Sequence, residues 1–153
     1  KIIKKYHIEK IKTIGDAYMC ASGIPIESND HALRMVKAAL EMIEFTKTVH
    51  AKQIARGKEP WRMRIGINTG PVVAGVIGTN KFIYDVWGDS VNLAARLETA
   101  GEPDRINISQ HTVDLVKQEI RTMYRGEIEV KNMGAVRMFF VEGLRTISHQ
   151  LPK

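Results

Sequence analysis

Residues 82–97 read FIYDVWGDSVNLAARL, and the glycine in the middle of that stretch decides how it folds. Before it, Phe82, Tyr84 and Val86 alternate with Ile83, Asp85 and Trp87, and the aromatic and β-branched content suits a strand with one face on a core. Gly88 ends the strand. Asp89 or Ser90 can then cap the first free amides of a helix that runs from Val91 and stops at Gly101. On that helix Asn92 and Arg96 are four residues apart and share a face. A planar amide beside a guanidinium can grip phosphate or ribose oxygens. An exposed arginine next to a solvated asparagine is the plainer alternative, and spacing alone leaves both open.

Working outward, Glu9 to Thr13 alternates like a strand, Gly15-Asp16 is a turn dipeptide, and Ala17 to Ser22 returns as the partner strand. Asp16 would sit at the hairpin tip, where turn chemistry alone accounts for an isolated Gly-Asp pair. Ile2, Ile3 and Tyr6 read as the last turns of a helix, so the chain is expected to begin in mid-domain. After a loop from Pro25, with Asn29 or Asp30 as cap, Leu33, Val36, Leu40 and Ile43 predict a long amphipathic helix from about His31 to Arg56. His31 has no second histidine or carboxylate at metal-ligand spacing. Arg62 to Asn68 alternates as a half-buried strand. Gly70, Gly75 and Gly78 punctuate the next run, but no Lys-Ser or Lys-Thr follows as a phosphate loop requires. A strand bent by glycines where another backbone comes close, as at a subunit contact, fits better. Further on come a short strand at Ile106–Ile108, Ser109 as cap of a helix to about Gln118, and strands at Tyr124–Val130 and Arg137–Glu142 around a Lys131–Gly134 loop. This order predicts an α+β sandwich with helices packed on a mostly antiparallel sheet.

At 153 residues the chain is one domain, and 44% hydrophobic with 26% charged residues is ordinary globular composition. No apolar run approaches the ~20 residues of a membrane span, and no charged-then-apolar leader is present. Cys20 is the only cysteine, which excludes an intrachain disulfide and fits a reducing cytoplasm. The formal charge of +6 admits nucleic acid, anionic lipid or a small anionic substrate. Lys1, Lys4, Lys5 and Lys10 read as a solvated face, without interleaved aromatics to stack bases, so no nucleic acid is expected. Lys12 differs, because it lies inside the alternating run that leads to Asp16.

Three blocks, IKTIGDAYMCASGIP, RIGINTGPVVAGVIG and YDVWGDSVNLAARLETAG, resemble in the same order the catalytic domain of class III adenylate and guanylate cyclases. The resemblance implies a ferredoxin-like sandwich whose first strand and helix are missing, with residues 1–145 a partial catalytic domain and 146–153 a C-terminal tail. It implies conversion of ATP to 3′,5′-cyclic AMP and pyrophosphate by attack of the ribose 3′-oxygen on the α-phosphorus. Arg96 matches the residue that stabilises the transition state, Asn92 the one that orients the ribose, and Asp16 one of two aspartates that hold Mg²⁺ or Mn²⁺, with two ions per site. Lys12 and Asp85 match the purine-selecting positions: an ammonium donates to adenine N1 and a carboxylate accepts from the N6 amino group. Guanylate-forming relatives carry a carboxylate at the first of these. The family also implies a head-to-tail homodimer, with Asp16 of one copy serving the other four residues of its partner, and an upstream regulatory domain in a parent that could be membrane-anchored.

Two departures stand out. The family's first metal aspartate lies in a Phe-x-Asp-x-x-Gly-Phe-like block that this chain lacks. Met133 also stands where relatives often place a phosphate-holding lysine, and strand alternation would turn Lys131 the other way. The competing readings are a guanylate cyclase, a non-catalytic nucleotide-binding or dimerisation module, and a basic nucleic-acid binder.

Overall fold

The computed structural model describes residues 1–146. The tail expected at 146–153 therefore lies, beyond its first residue, outside the described residues. A short helix α1 (Ile2–Lys5) leads into the hairpin β1 (Glu9–Ile14) and β2 (Ala17–Ala21), followed by the long helix α2 (His31–Ala55). Next come β3 (Ile65–Ile67), the hairpin β4 (Val73–Ile77) and β5 (Ile83–Trp87), and helix α3 (Asp89–Thr99). The chain closes with β6 (Ile106–Ser109), α4 (Gln110–Val116), β7 (Ile120–Val130) and β8 (Gly134–Leu144). The fold is α+β, as the sequence predicts.

A four-stranded sheet in the order β3-β6-β8-β7 is the centre of the molecule, with β3 and β6 parallel and the other pairs antiparallel. Side chains alternate across it. Ile67, Ile106 and Ile108 face a core with Val36, Ala39 and Ile43 of α2 and Val113 and Val116 of α4. The opposite face packs Met138 and Val130 against Leu93 and Leu97 of α3. The two hairpins form separate two-stranded sheets, and β1 packs against β5.

Several local expectations are corrected. Neither Asp89 nor Ser90 caps α3; Gly88, at φ 131°, is the cap residue, and its carbonyl accepts from the Val91 and Asn92 amides. At α2 the cap residue is Asp30, but its carboxylate is taken by the Ser28 hydroxyl and by Arg34 at 2.8 Å, so it satisfies no helix amide. Ser109 does cap α4, accepting from the Thr112 amide. The strand expected over 62–68 shrinks to Ile65–Ile67, because Asp104 holds the Arg62 guanidinium at 3.2 Å and the Met63 amide at 3.4 Å. In β5 the alternation fails: Phe82 is exposed, while the neighbours Asp85 and Val86 are both buried. β7 starts four residues earlier than its pattern suggests, since register shifts near Arg121 and Tyr124 interrupt the alternation.

The glycine run does bring a second backbone close at Gly78, where a Cβ would fall 2.0 Å from the Lys81 carbonyl oxygen, but not at Gly75. A Cβ on Gly75 would meet nothing nearer than the Trp87 ring at 3.6 Å. On Gly66 it would fall 2.1 Å from the Glu98 amide nitrogen and 2.5 Å from the Ala94 carbonyl oxygen, so β3 and α3 touch backbone to backbone. We expect Gly66→Ala to cost about 3 kcal/mol, read from the denaturant midpoint at unchanged slope. A loss below about 0.5 kcal/mol would contradict this packing.

Candidate active site

Two clusters collect the residues singled out from the sequence. The first joins the hairpins. Lys12 on β1 and Asp85 on β5 are 73 positions apart, yet Lys12 Nζ donates to Asp85 Oδ2 at 2.8 Å. The lysine side chain is 38% exposed and the carboxylate 13%. Asp85 also accepts from the Val86 amide at 2.8 Å, and the ammonium first, then this amide, hold its carboxyl below the ordinary carboxylate range. On the same ribbon face, Asp85 lies opposite Gly75 and between the pairs Val73–Trp87 and Ile77–Ile83. Those four side chains are exposed. The charged pair thus sits in an apolar surround, with no side chain from Gly75 to cover it, which suits a flat polar-edged ring.

The second cluster is a groove of about 840 Å³ between α3 and the β7–β8 turn. Asn92 and Arg96, one turn apart, line one wall with Asp89, and Glu129, Lys131, Asn132 and Met133 line the other. The expected outward turn of Lys131 does not occur. Strand pairing ends at Val130–Gly134, and Asn132 at φ 66° and Gly134 at φ 72° carry residues 131–133 through a turn, where strand alternation no longer applies. Arg96 and Lys131 make no ion pair among the described residues, so both charges are available to an anion.

Asp16 stands apart from both clusters, exposed in the turn between β1 and β2 beside Gly15 at φ 58°. Its carboxylate is a hard oxygen donor suited to Mg²⁺ or Mn²⁺, but among the described residues no three His, Cys, Asp or Glu side chains gather as a metal site. Asp16 by itself offers one carboxylate, fewer than the oxygen ligands such an ion takes. Burial pushes the Cys20 thiol up to about 11, which disfavours its thiolate. Sequence reasoning set Lys131 aside and passed over Trp87 and Gly75. Only the cross-strand register, which pairs Gly75 with Asp85, shows their place.

A family model described as the adenylate and guanylate cyclase catalytic domain matches residues 1–143, and the chain belongs to that family. It is 37% identical over 143 residues to an adenylate cyclase of Mycobacterium bovis, covering 94% of this chain and 31% of that protein. The solved adenylyl cyclase CyaB from P. aeruginosa superposes with a TM-score of 0.86 at 32% identity, over 94% of this chain and 76% of that one. The guanylate cyclase domain of RhGC from Catenaria anguillulae, solved in complex with GTP, gives 0.84 at 38% identity over 94% and 77%. The chain thus spans under a third of the curated relative and about three quarters of the solved domains.

The lowered Asp85 carboxyl fixes a sign. A group whose folded pKa lies below its unfolded value adds stability above the unfolded pKa and loses it as pH falls through the folded one. Lys12→Met should therefore destabilise the domain at pH 7, and the gap to wild type should close below the ordinary carboxylate range. Thermal melts of both proteins from pH 7 to pH 2 check this; a gap that stays constant through acid would contradict it.

Proposed function

We propose that the chain is the catalytic domain of an adenylate cyclase, converting ATP to 3′,5′-cyclic AMP and pyrophosphate. The observation that carries this reading is the Lys12–Asp85 contact at 2.8 Å, which brings an ammonium donor and a carboxylate acceptor together from separate hairpins. Adenine offers the complement, an acceptor at N1 and a donor at N6, whereas guanine N1–H would face the ammonium donor-to-donor. The apolar side chains around the pair suit the faces of a purine ring.

The groove supplies the other half of the chemistry. Arg96 stabilises the negative charge that gathers on the phosphoryl oxygens in the transition state, and Asn92 orients the ribose from one turn away. Lys131, on the facing wall, holds the outer phosphates in the role that Met133 cannot fill. Asp16 contributes one carboxylate toward Mg²⁺ or Mn²⁺, which when bound supplies charge neutralisation at the triphosphate; the second aspartate would come from an upstream strand.

Asp16 does not line the groove that holds Arg96, which supports a head-to-tail homodimer whose two sites each take Asp16 from the opposite copy. Exposed Val73, Val76, Ile77, Phe82 and Ile83 on the β4–β5 hairpin give such a contact an apolar surface. On this reading residues 1–145 form the catalytic portion of a longer chain with an upstream regulatory domain, on the cytoplasmic side. The GTP-bound neighbour supports a second reading, a guanylate cyclase on the same site.

The full chain carrying this domain, given ATP and GTP with Mg²⁺ or Mn²⁺, should make cyclic AMP in preference to cyclic GMP. Arg96→Ala should lower kcat at least about 100-fold; normal turnover in that variant overturns the assignment. Lys12→Glu combined with Asp85→Cys should move preference toward GTP, and an unchanged ratio of the two kcat/KM values would mean that the base is read elsewhere.

A further inference from the structure

The strand β6 has an unusual inner face. Ile106 and Ile108 pack in the larger core, but Asn107 and Ser109, which point toward α3, are polar and only 0% and 2% exposed. A strand facing Leu93, Leu97, Val130 and Met138 would ordinarily carry apolar residues there. Asn107 even leaves its Oδ1 buried without a hydrogen-bond partner among the described residues, which costs stability.

Both residues reach the same helix. Asn107 Nδ2 donates at 2.8 Å to the carbonyl of Leu97, near the α3 C-terminus. Ser109 donates at 2.7 Å to Asn68 Oδ1, and Asn68 Nδ2 donates at 3.1 Å to the Ser90 carbonyl in the first turn of α3. Ser90 and Leu97 are seven residues apart, about two turns. Between them, on the groove side, stand Asn92 and Arg96.

We infer that Asn107 and the Ser109–Asn68 relay are positioning residues: they pin α3 at both ends and so fix where Asn92 and Arg96 stand in the groove. Apolar packing alone is non-directional and leaves a helix free to slide or rotate by fractions of a turn. Two directed hydrogen bonds, one at each end, remove that freedom. The role in turnover rests on the cyclase reading; the pinning of α3 does not.

The test is Asn107→Leu in the full chain, which removes the donor and the orphaned acceptor together and keeps the site filled. Hydrogen exchange, melting temperature and steady-state kinetics are measured on the same protein. The melting temperature should change little, because the loss of the orphaned acceptor offsets the Leu97 carbonyl left without its donor, while the α3 amides exchange about tenfold faster and those of β6 and β8 do not change. With ATP, kcat should fall about 100-fold at a KM within about twofold, since the base is held on the other cluster. Wild-type α3 protection or wild-type kcat in this variant overturns the inference, as does a drop in melting temperature with faster exchange throughout the sheet. If Asn107→Leu does not fold, Ser109→Ala, which removes the donor to Asn68 together with the α4 cap, must still speed exchange of the α3 amides as well as those of α4, and no change in α3 refutes the pinning. Should the wild-type chain make no cyclic nucleotide, the proposed function fails while the exchange comparison still decides the seating of α3.

Discussion

The structure depends on how closely α3 lies against β3. With only hydrogen at position 66, the strand backbone reaches the Ala94–Glu98 turn of the helix, and any side chain there would force the two apart. That approach buries Leu93 and Leu97 completely between helix and sheet. Once those two residues face inward, helical geometry turns Asn92 and Arg96 toward the groove and the β7–β8 turn. A contact of backbone with backbone thus sets how near α3 lies to the sheet, within which the hydrogen bonds at its two ends fix where those side chains stand.

The polar groups of the molecule divide by burial, and their energetics differ accordingly. Lys12 is more than a third exposed, so solvent screens its ion pair with Asp85 and the pair adds little to stability. Recognition is a better account of why an ammonium and a carboxylate meet in the middle of an exposed apolar ribbon. Asn107 is the opposite case. It is wholly enclosed, its bonds to the Leu97 carbonyl and, at 3.4 Å, to the Met138 sulfur compete against an unmet acceptor, and its presence is easier to understand as a constraint on geometry than as a gain in free energy.

Most of the element order was legible in the sequence because it rests on local chemistry. The strand, glycine and helix of residues 82–97, the Gly15-Asp16 hairpin and the Ser109 cap each follow from a few neighbouring residues. What was not legible depends on contacts between distant segments. Asp104 shortens β3 through contacts 41 and 42 residues apart in the chain, and no local pattern announces it. The ionic partner of Asp85 is Lys12, on another hairpin, and nothing in the strand around Asp85 marks it. Lys131 was misread because a strand rule was extended into a turn, where Asn132 and Gly134 adopt positive φ and the alternation of faces stops. Nothing local marks the asparagine between Ile106 and Ile108 as the partner of the Leu97 carbonyl.

The pairing of Lys12 with Asp85 bears directly on selectivity. In the free protein each charge already satisfies the other, so a base that takes them over must replace a 2.8 Å ionic hydrogen bond before it gains anything. Adenine can do so on both sides, since its N1 accepts from the ammonium while its amino group donates to the carboxylate. Guanine would set its N1–H against the lysine and its O6 toward the carboxylate, breaking the pair and leaving both charges facing groups of the wrong kind. Discrimination on the proposed reading then comes less from the strength of the adenine contacts than from the unpaired charges that the wrong base would leave behind, and such penalties are larger than any gained by shape in an apolar pocket. The groove adds nothing to that choice. On the same proposed reading Arg96 and Lys131 would meet phosphates that every nucleoside triphosphate shares, so that one cluster reads the base while the other handles charge.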